Sequence, residues 1–85
     1  MTLNTSLSPC AVARILASIV RRAMAGSSSG TAFAVLFGGA ASVCIGRHCL
    51  CTVNDAEGGV SIDWAPDSGE VQSFLLPLLG AAIGA

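Results

Sequence analysis

Charge is scarce in this sequence, and the scarcity limits what the protein can do. Charged residues make up 11% of the chain and hydrophobic residues 53%, whereas typical globular proteins are about 25% charged. The chain contains neither lysine nor tyrosine. With so few charges, much of the surface must be apolar, and contiguous apolar surface usually marks a contact with protein or membrane. The composition therefore argues against a solitary monomer.

The few charges are also segregated by sign along the chain. No acidic residue precedes Asp55, and no arginine follows Arg47. Nucleic-acid binding needs a larger positive patch than Arg14, Arg21 and Arg22 on one helix can offer. We therefore expect no nucleic-acid partner, and a solvated polar face with some pairing between the oppositely charged halves.

Motifs that carry catalysis are missing as well. The glycine pairs lack the Gly-Lys-Ser/Thr sequence that grips a nucleotide phosphate, and most of the carboxylates lie in turn-forming segments. Cys44 or Cys49 could pair with His48 as a nucleophile, but adjacency in sequence does not establish the required hydrogen bond, and no orienting residue is evident. We therefore predict that the protein is not an enzyme and takes no cofactor or small-molecule substrate.

One cluster of metal-ligand residues is present, in the sequence CIGRHCLC. Zinc sites usually draw their four ligands from two separated pairs, whereas Cys44, His48, Cys49 and Cys51 fall within eight residues. On a regular strand Cys49 and Cys51 would share one face, and His48 would point away. We predict reduced thiols that act as small hydrophobes and no metal. A metal shared across an oligomer interface, or a Cys/His metal or redox module, is a third hypothesis.

Long apolar sequence is abundant, and residues 31–53 form its longest stretch. As a helix, residues 31–46 would reach only roughly 24 Å, whereas a bilayer core is about 30 Å thick. As strands, the stretch divides at Gly38-Gly39, because adjacent glycines suit a turn better than a helix. We favour strands. The alternative is an all-α membrane hairpin of residues 31–46 and 71–85.

A second hairpin is predicted from residues 50–53 and 60–64. In the latter segment Val60, Ile62 and Trp64 alternate with polar residues, which is typical of a strand buried on one face. Turn-forming residues recur near 26–30, 38–40, 54–59 and 65–69. That spacing predicts a short antiparallel meander within residues 31–69.

The N-terminal third of the chain is predicted to contain an amphipathic helix over residues 9–25. Ser8 suits the N-cap and Pro9 the first helical position, and a Gly/Ser linker, residues 26–30, follows the helix. Residues 1–8 are expected to be a flexible lead. Because residues 1–30 are rich in Arg and Ser and free of acids, the segment could also act as a retained mitochondrial presequence.

The last segment, residues 70–85, is uncharged after Glu70 and ends in a GxxxG motif that lets apolar helices pack closely.

The sequence thus predicts an α+β fold: an N-terminal helix, a three- or four-stranded antiparallel meander and an apolar C-terminal helix or tail. The predicted function is a non-catalytic structural or accessory subunit of a larger assembly, homo- or hetero-oligomeric, with membrane contact as a further option. The alternative is a small integral membrane protein, either an organellar complex subunit or a holin-like hairpin. The predicted interaction residues are Val12, Ile15, Leu16, Ile19, Phe74, Leu75, Leu78, Leu79, Gly80 and Gly84.

Overall fold

The computed structural model describes residues 2–23, 32–66 and 69–83. These residues form an α+β fold, as the sequence predicts, with one five-stranded antiparallel sheet in the order β1-β5-β4-β3-β2. In chain order the elements are β1 (Thr2–Asn4), α1 (Pro9–Ala23), β2 (Ala32–Phe37), β3 (Ala40–Ile45), β4 (His48–Ala56), β5 (Gly59–Trp64) and α2 (Gly69–Ile83).

The meander of β2 to β5 confirms the strand interpretation of the central stretch. Two-residue turns at Gly38-Gly39 and Gly46-Arg47 join β2 to β3 and β3 to β4. Gly38 and Gly46 have φ values of 57° and 58°, as the first position of a type II′ hairpin turn requires. The alternative of a membrane helix over residues 31–46 is therefore wrong. Among the described residues, no helix has both the length and the apolar character needed to cross a bilayer.

Strand β1 is the largest departure from the sequence prediction, which placed Thr2–Asn4 in a flexible lead. The strand adds to the outer edge of β5, with Leu3 opposite Val60. Leu3 is half-buried and packs against the core. Three residues are too few for a period-two pattern to be recognised, so the pairing depends on the neighbouring strand and not on local sequence.

Both helices lie on one side of the sheet. Helix α1 packs against β2, β3 and β4, and α2 packs against α1. The N-cap prediction is confirmed, because the Ala11 amide donates to Ser8 Oγ at 3.2 Å. The core lies between the helices and the sheet, and its largest fully buried side chains are Leu16, Ile62, Leu75, Leu79, Val12, Val43, Val53 and Val60.

Candidate functional site

The side of the sheet away from the helices, called here the open face, changes character from one edge to the other. On β4 and β5 it is polar: Asn54 Nδ2 donates to Asp63 Oδ2 at 3.4 Å. Closer to the middle, the hydroxyls of Ser42 and Thr52 form a hydrogen bond of 3.2 Å. On β2 it is apolar, because alternate positions of that strand carry Phe33, Val35 and Phe37. We call these three side chains the apolar stripe.

The apolar stripe is substantially exposed to solvent. The exposed fractions are 41% for Phe33, 42% for Val35 and 50% for Phe37, and Leu36 on the other side of the strand is 49% exposed. Large aromatic side chains carry the greatest free-energy gain on burial, so leaving two of them half-exposed in one strand is costly. Such a patch is typical of a surface that another molecule covers.

The two edges of the sheet differ in how they are protected. Edge strand β1 has three residues, whereas edge strand β2 has six. Short or charged edge strands resist pairing with other chains, but β2 carries no charged residue. Within the described residues, β2 pairs with β3 alone, which leaves its outer row of backbone groups without a strand partner. This edge can therefore accept another strand.

Helix α2 presents a second exposed apolar surface. Val71, Phe74 and Leu78 are 37%, 55% and 42% exposed and are spaced three and four residues apart, so they share one helix face. We call them the α2 ridge. Beside the ridge a cleft of about 280 Å³ opens between the two helices and the end of the β3–β4 hairpin. Its lining is almost wholly apolar and includes Val20, Ile45 and Leu50.

The predicted interaction residues fall into separate groups in the structure. Phe74 and Leu78 belong to the α2 ridge, and Ile15, Ile19 and Gly80 are half-buried. The remaining described members are buried within the chain itself, where a partner cannot reach them in this conformation: Val12, Leu16, Leu75 and Leu79. Gly84 lies outside the described residues. Most of the predicted apolar face of α1 thus packs on its own sheet.

The β3–β4 hairpin brings two cysteines together. Its Gly46-Arg47 turn places Cys44 of β3 opposite Cys49 of β4, and their Sγ atoms are 2.7 Å apart. Cys44 is 5% exposed, whereas Cys49 is exposed at the surface. The pair lies on the open face, next to the apolar stripe, because Phe33 is the partner of Cys44 on the β2 side.

A bulge in β4 corrects the prediction that Cys49 and Cys51 share a face. Val43 pairs with Cys51 while Cys44 pairs with Cys49, so Leu50 is an extra residue. An extra residue reverses the alternation of side chains along a strand. Cys51 therefore joins the buried core, and Cys49 stays on the open face.

The bulge also separates the four predicted metal candidates. Cys44 and Cys49 are together, Cys51 is on the opposite face, and His48 is exposed at the start of β4. Across residues 2–23, 32–66 and 69–83, no group of three or more His, Cys, Asp or Glu side chains is placed to hold a metal ion. The two-thiol pair is the chemically distinctive feature of this region.

Two thiols in the hairpin are held in their neutral form. Burial raises the pKa of Cys51 from 9.0 to about 11. The pKa of Cys44 is also raised to about 11, first by burial and then by the hydrogen bond and the charge of Cys49. Both shifts disfavour the thiolate, which is the reactive form of cysteine.

These shifts predict that the protein loses stability at alkaline pH. The folded state holds the Cys51 proton more tightly than the unfolded chain, so the stabilisation is complete below about pH 9 and is lost as pH rises through about 11. We expect Cys51 to account for a loss on the order of 2 kcal/mol. Because the chain has no lysine or tyrosine, cysteines are the side chains that titrate in this interval.

Urea denaturation at a series of pH values from 8 to 11 measures this loss, and Cys51→Ala is the matched control. The variant should show a shallower decline, since it lacks one of the two thiols whose pKa is raised by folding. Equal declines in the wild type and the variant would contradict the assignment to Cys51.

Sequence reasoning missed the apolar stripe and the paired thiols, although each had a signal. The signal for the stripe is the absence of any charge between residues 31 and 46, which predicts core strands or a membrane segment as readily as an unprotected edge. The thiol pair follows from the register of the hairpin. A two-residue turn at Gly46-Arg47 pairs positions whose numbers sum to 93, and Cys44 and Cys49 are such positions. This register can be predicted only when the turn is placed at those two residues.

Comparison of the chain with protein-family models, with curated proteins and with solved structures returned no match.

Proposed function

We propose that this protein is a non-catalytic subunit of a symmetric assembly, and that two copies join through the outer edges of their β2 strands. The observation that carries the proposal is the combination, in one six-residue edge strand, of an open backbone edge, the exposed apolar stripe and no charge. Each property separately is common, but together they describe a strand that is stabilised by pairing with another strand.

A second copy of the chain fits this edge because β2 is complementary to itself. In an antiparallel pair related by a twofold axis through Val35, Phe33 of one copy lies opposite Phe37 of the other. The symmetry gives two such aromatic pairs. Aromatic pairs across neighbouring strands stabilise a sheet by roughly 0.2–1 kcal/mol each, and twofold dimers are the commonest oligomers. The product is a continuous ten-stranded sheet with all four helices on one side.

Pairing edge to edge agrees with the character of the open face better than stacking face to face does. Stacking two open faces would bury the polar side chains of β4 and β5, among them Asn54 and Asp63. Burying polar groups without new partners costs free energy. Edge pairing leaves those groups in water and unites the two apolar stripes.

Sedimentation velocity over a range of protein concentrations tests the proposal. The wild type should sediment as a dimer, and Val35→Lys should raise the dimer dissociation constant by about 100-fold or more, because two like charges would meet at the twofold axis. Ser61→Lys is the matched control, since it puts the same charge on the open face of β5. That variant should still dimerise.

Two results would overturn the proposal. One is a wild type that stays monomeric at every concentration. The other is a dimer that survives Val35→Lys but dissociates on Phe74→Glu, which would assign the contact to the α2 ridge. Circular dichroism of each variant establishes that the fold is intact, so that a change in mass reports association.

A further inference from the structure

The paired cysteines of the β3–β4 hairpin form a site that the assembly role does not use. Residues directly opposite in an antiparallel pair have Cα atoms about 4.5–5.5 Å apart, which lies within the range of disulfides. Cys44 and Cys49 occupy such positions, and their Sγ atoms are already at 2.7 Å. The backbone therefore needs no rearrangement to bring the sulfurs into bonding range.

We propose that Cys44 and Cys49 are a reversible dithiol–disulfide site that exchanges with small-molecule disulfides such as oxidised glutathione. The two thiols are oxidised to one cross-strand disulfide, and the glutathione disulfide is reduced to two molecules of glutathione. The site lies at the surface of the open face and does not depend on dimerisation.

The different exposures of the two thiols assign their order of reaction. Cys49 is exposed, so its thiolate attacks one sulfur of the glutathione disulfide and displaces the first glutathione thiolate. Buried Cys44 then loses its proton to solvent and attacks the Cys49 sulfur of the mixed disulfide. The second glutathione leaves as thiolate, and the Cys44–Cys49 bond is complete.

The step order also agrees with the electrostatics of the pair. Part of what raises the pKa of Cys44 is the hydrogen bond and the charge of Cys49. Both contributions end when Cys49 becomes a mixed disulfide, so the first step makes the second thiol easier to ionise. Cys49 is thus the attacking residue, and Cys44 is the resolving residue.

The other two cysteines are placed where they cannot take part. Cys51 is on the opposite face of β4, within the core, and Cys10 is in the first turn of α1. A disulfide across a two-residue turn also closes a very short loop, which by loop entropy gives less stabilisation than a long loop. The pair is therefore suited to reversible exchange more than to stapling the fold.

Redox titration of the intact protein tests the proposal. The protein is equilibrated with mixtures of reduced and oxidised glutathione, quenched with acid and alkylated under denaturing conditions, and the product is analysed by mass spectrometry. Under oxidising mixtures we expect two alkylated cysteines, with peptide mapping that places the disulfide between Cys44 and Cys49. Under reducing mixtures we expect all four cysteines to be alkylated.

Substitutions separate the roles of the two thiols. Cys49→Ser should abolish the disulfide, whereas Cys44→Ser should accumulate glutathione on Cys49 because nothing resolves it. Cys10→Ser is the control and should behave as the wild type. If Cys44→Ser fails to fold, the exposed Cys49→Ser variant and the peptide map of the wild type still decide the matter. Four alkylated cysteines at every ratio, a bond to Cys10 or Cys51, or persistent glutathione on Cys49 of the wild type would each overturn the proposal.

Discussion

Replacing Val53 by lysine is expected to unfold the protein. Val53 is fully buried in the central strand β4, within the core that α1 covers. A lysine there must either bury its charge without a partner or displace the helix, and we expect a loss of about 4 kcal/mol or more. Folded domains are stable by only about 5–15 kcal/mol, and small ones bury a smaller fraction of their surface, so little stability should remain.

The matched control is lysine at the preceding position, Thr52→Lys. Thr52 is half-buried on the open face, directly opposite Asp63, so the new ammonium group reaches solvent and a carboxylate. Circular dichroism with urea denaturation should show a folded Thr52→Lys and an unfolded Val53→Lys. Similar losses at both positions would mean that the open face is covered and that the assignment of the two faces is incorrect.

The parts of the fold that the sequence predicted are those governed by local patterns. The Gly38-Gly39 turn, the strand alternation from Val60 to Trp64 and the Ser8 cap each depend on residues close together in the chain. Pairing of β1 with β5 joins residues almost sixty positions apart, and nothing in Thr2–Asn4 identifies that partner. Whether a short edge strand of this kind forms depends on the sheet that it joins.

The candidate sites depended on register, which the sequence left open. A single extra residue, Leu50, decides that Cys49 faces the open side and Cys51 faces the core. Bulges carry no reliable sequence signal, so the regular alternation of strand side chains gave the wrong face. The apolar stripe raised a different difficulty, because a run such as AFAVLF predicts a buried strand, whereas its place in the sheet decides whether one face is exposed.

A pair of identical substitutions shows how the apolar residues divide between the core and the surface. Leu16→Ala on α1 removes a side chain that is fully buried, so we expect a loss of about 2–5 kcal/mol from lost burial and the cavity left behind. Leu78→Ala on α2 removes the same atoms from a side chain that is 42% exposed, and the loss should be below about 1.5 kcal/mol. Urea denaturation of both variants gives the two values.

The sequence predicts an interaction role for both leucines, and the same variants decide between the two kinds of role. If Leu16 supports the fold from within, Leu16→Ala should lower the free energy of unfolding equally at low and high protein concentration. Replacing a residue that a partner covers would instead lower the free energy of unfolding more at high protein concentration, where the wild type is associated. Equal and small losses for both variants would contradict the packing of α1 on the sheet, because a leucine inside a close-packed core cannot be removed without a cavity.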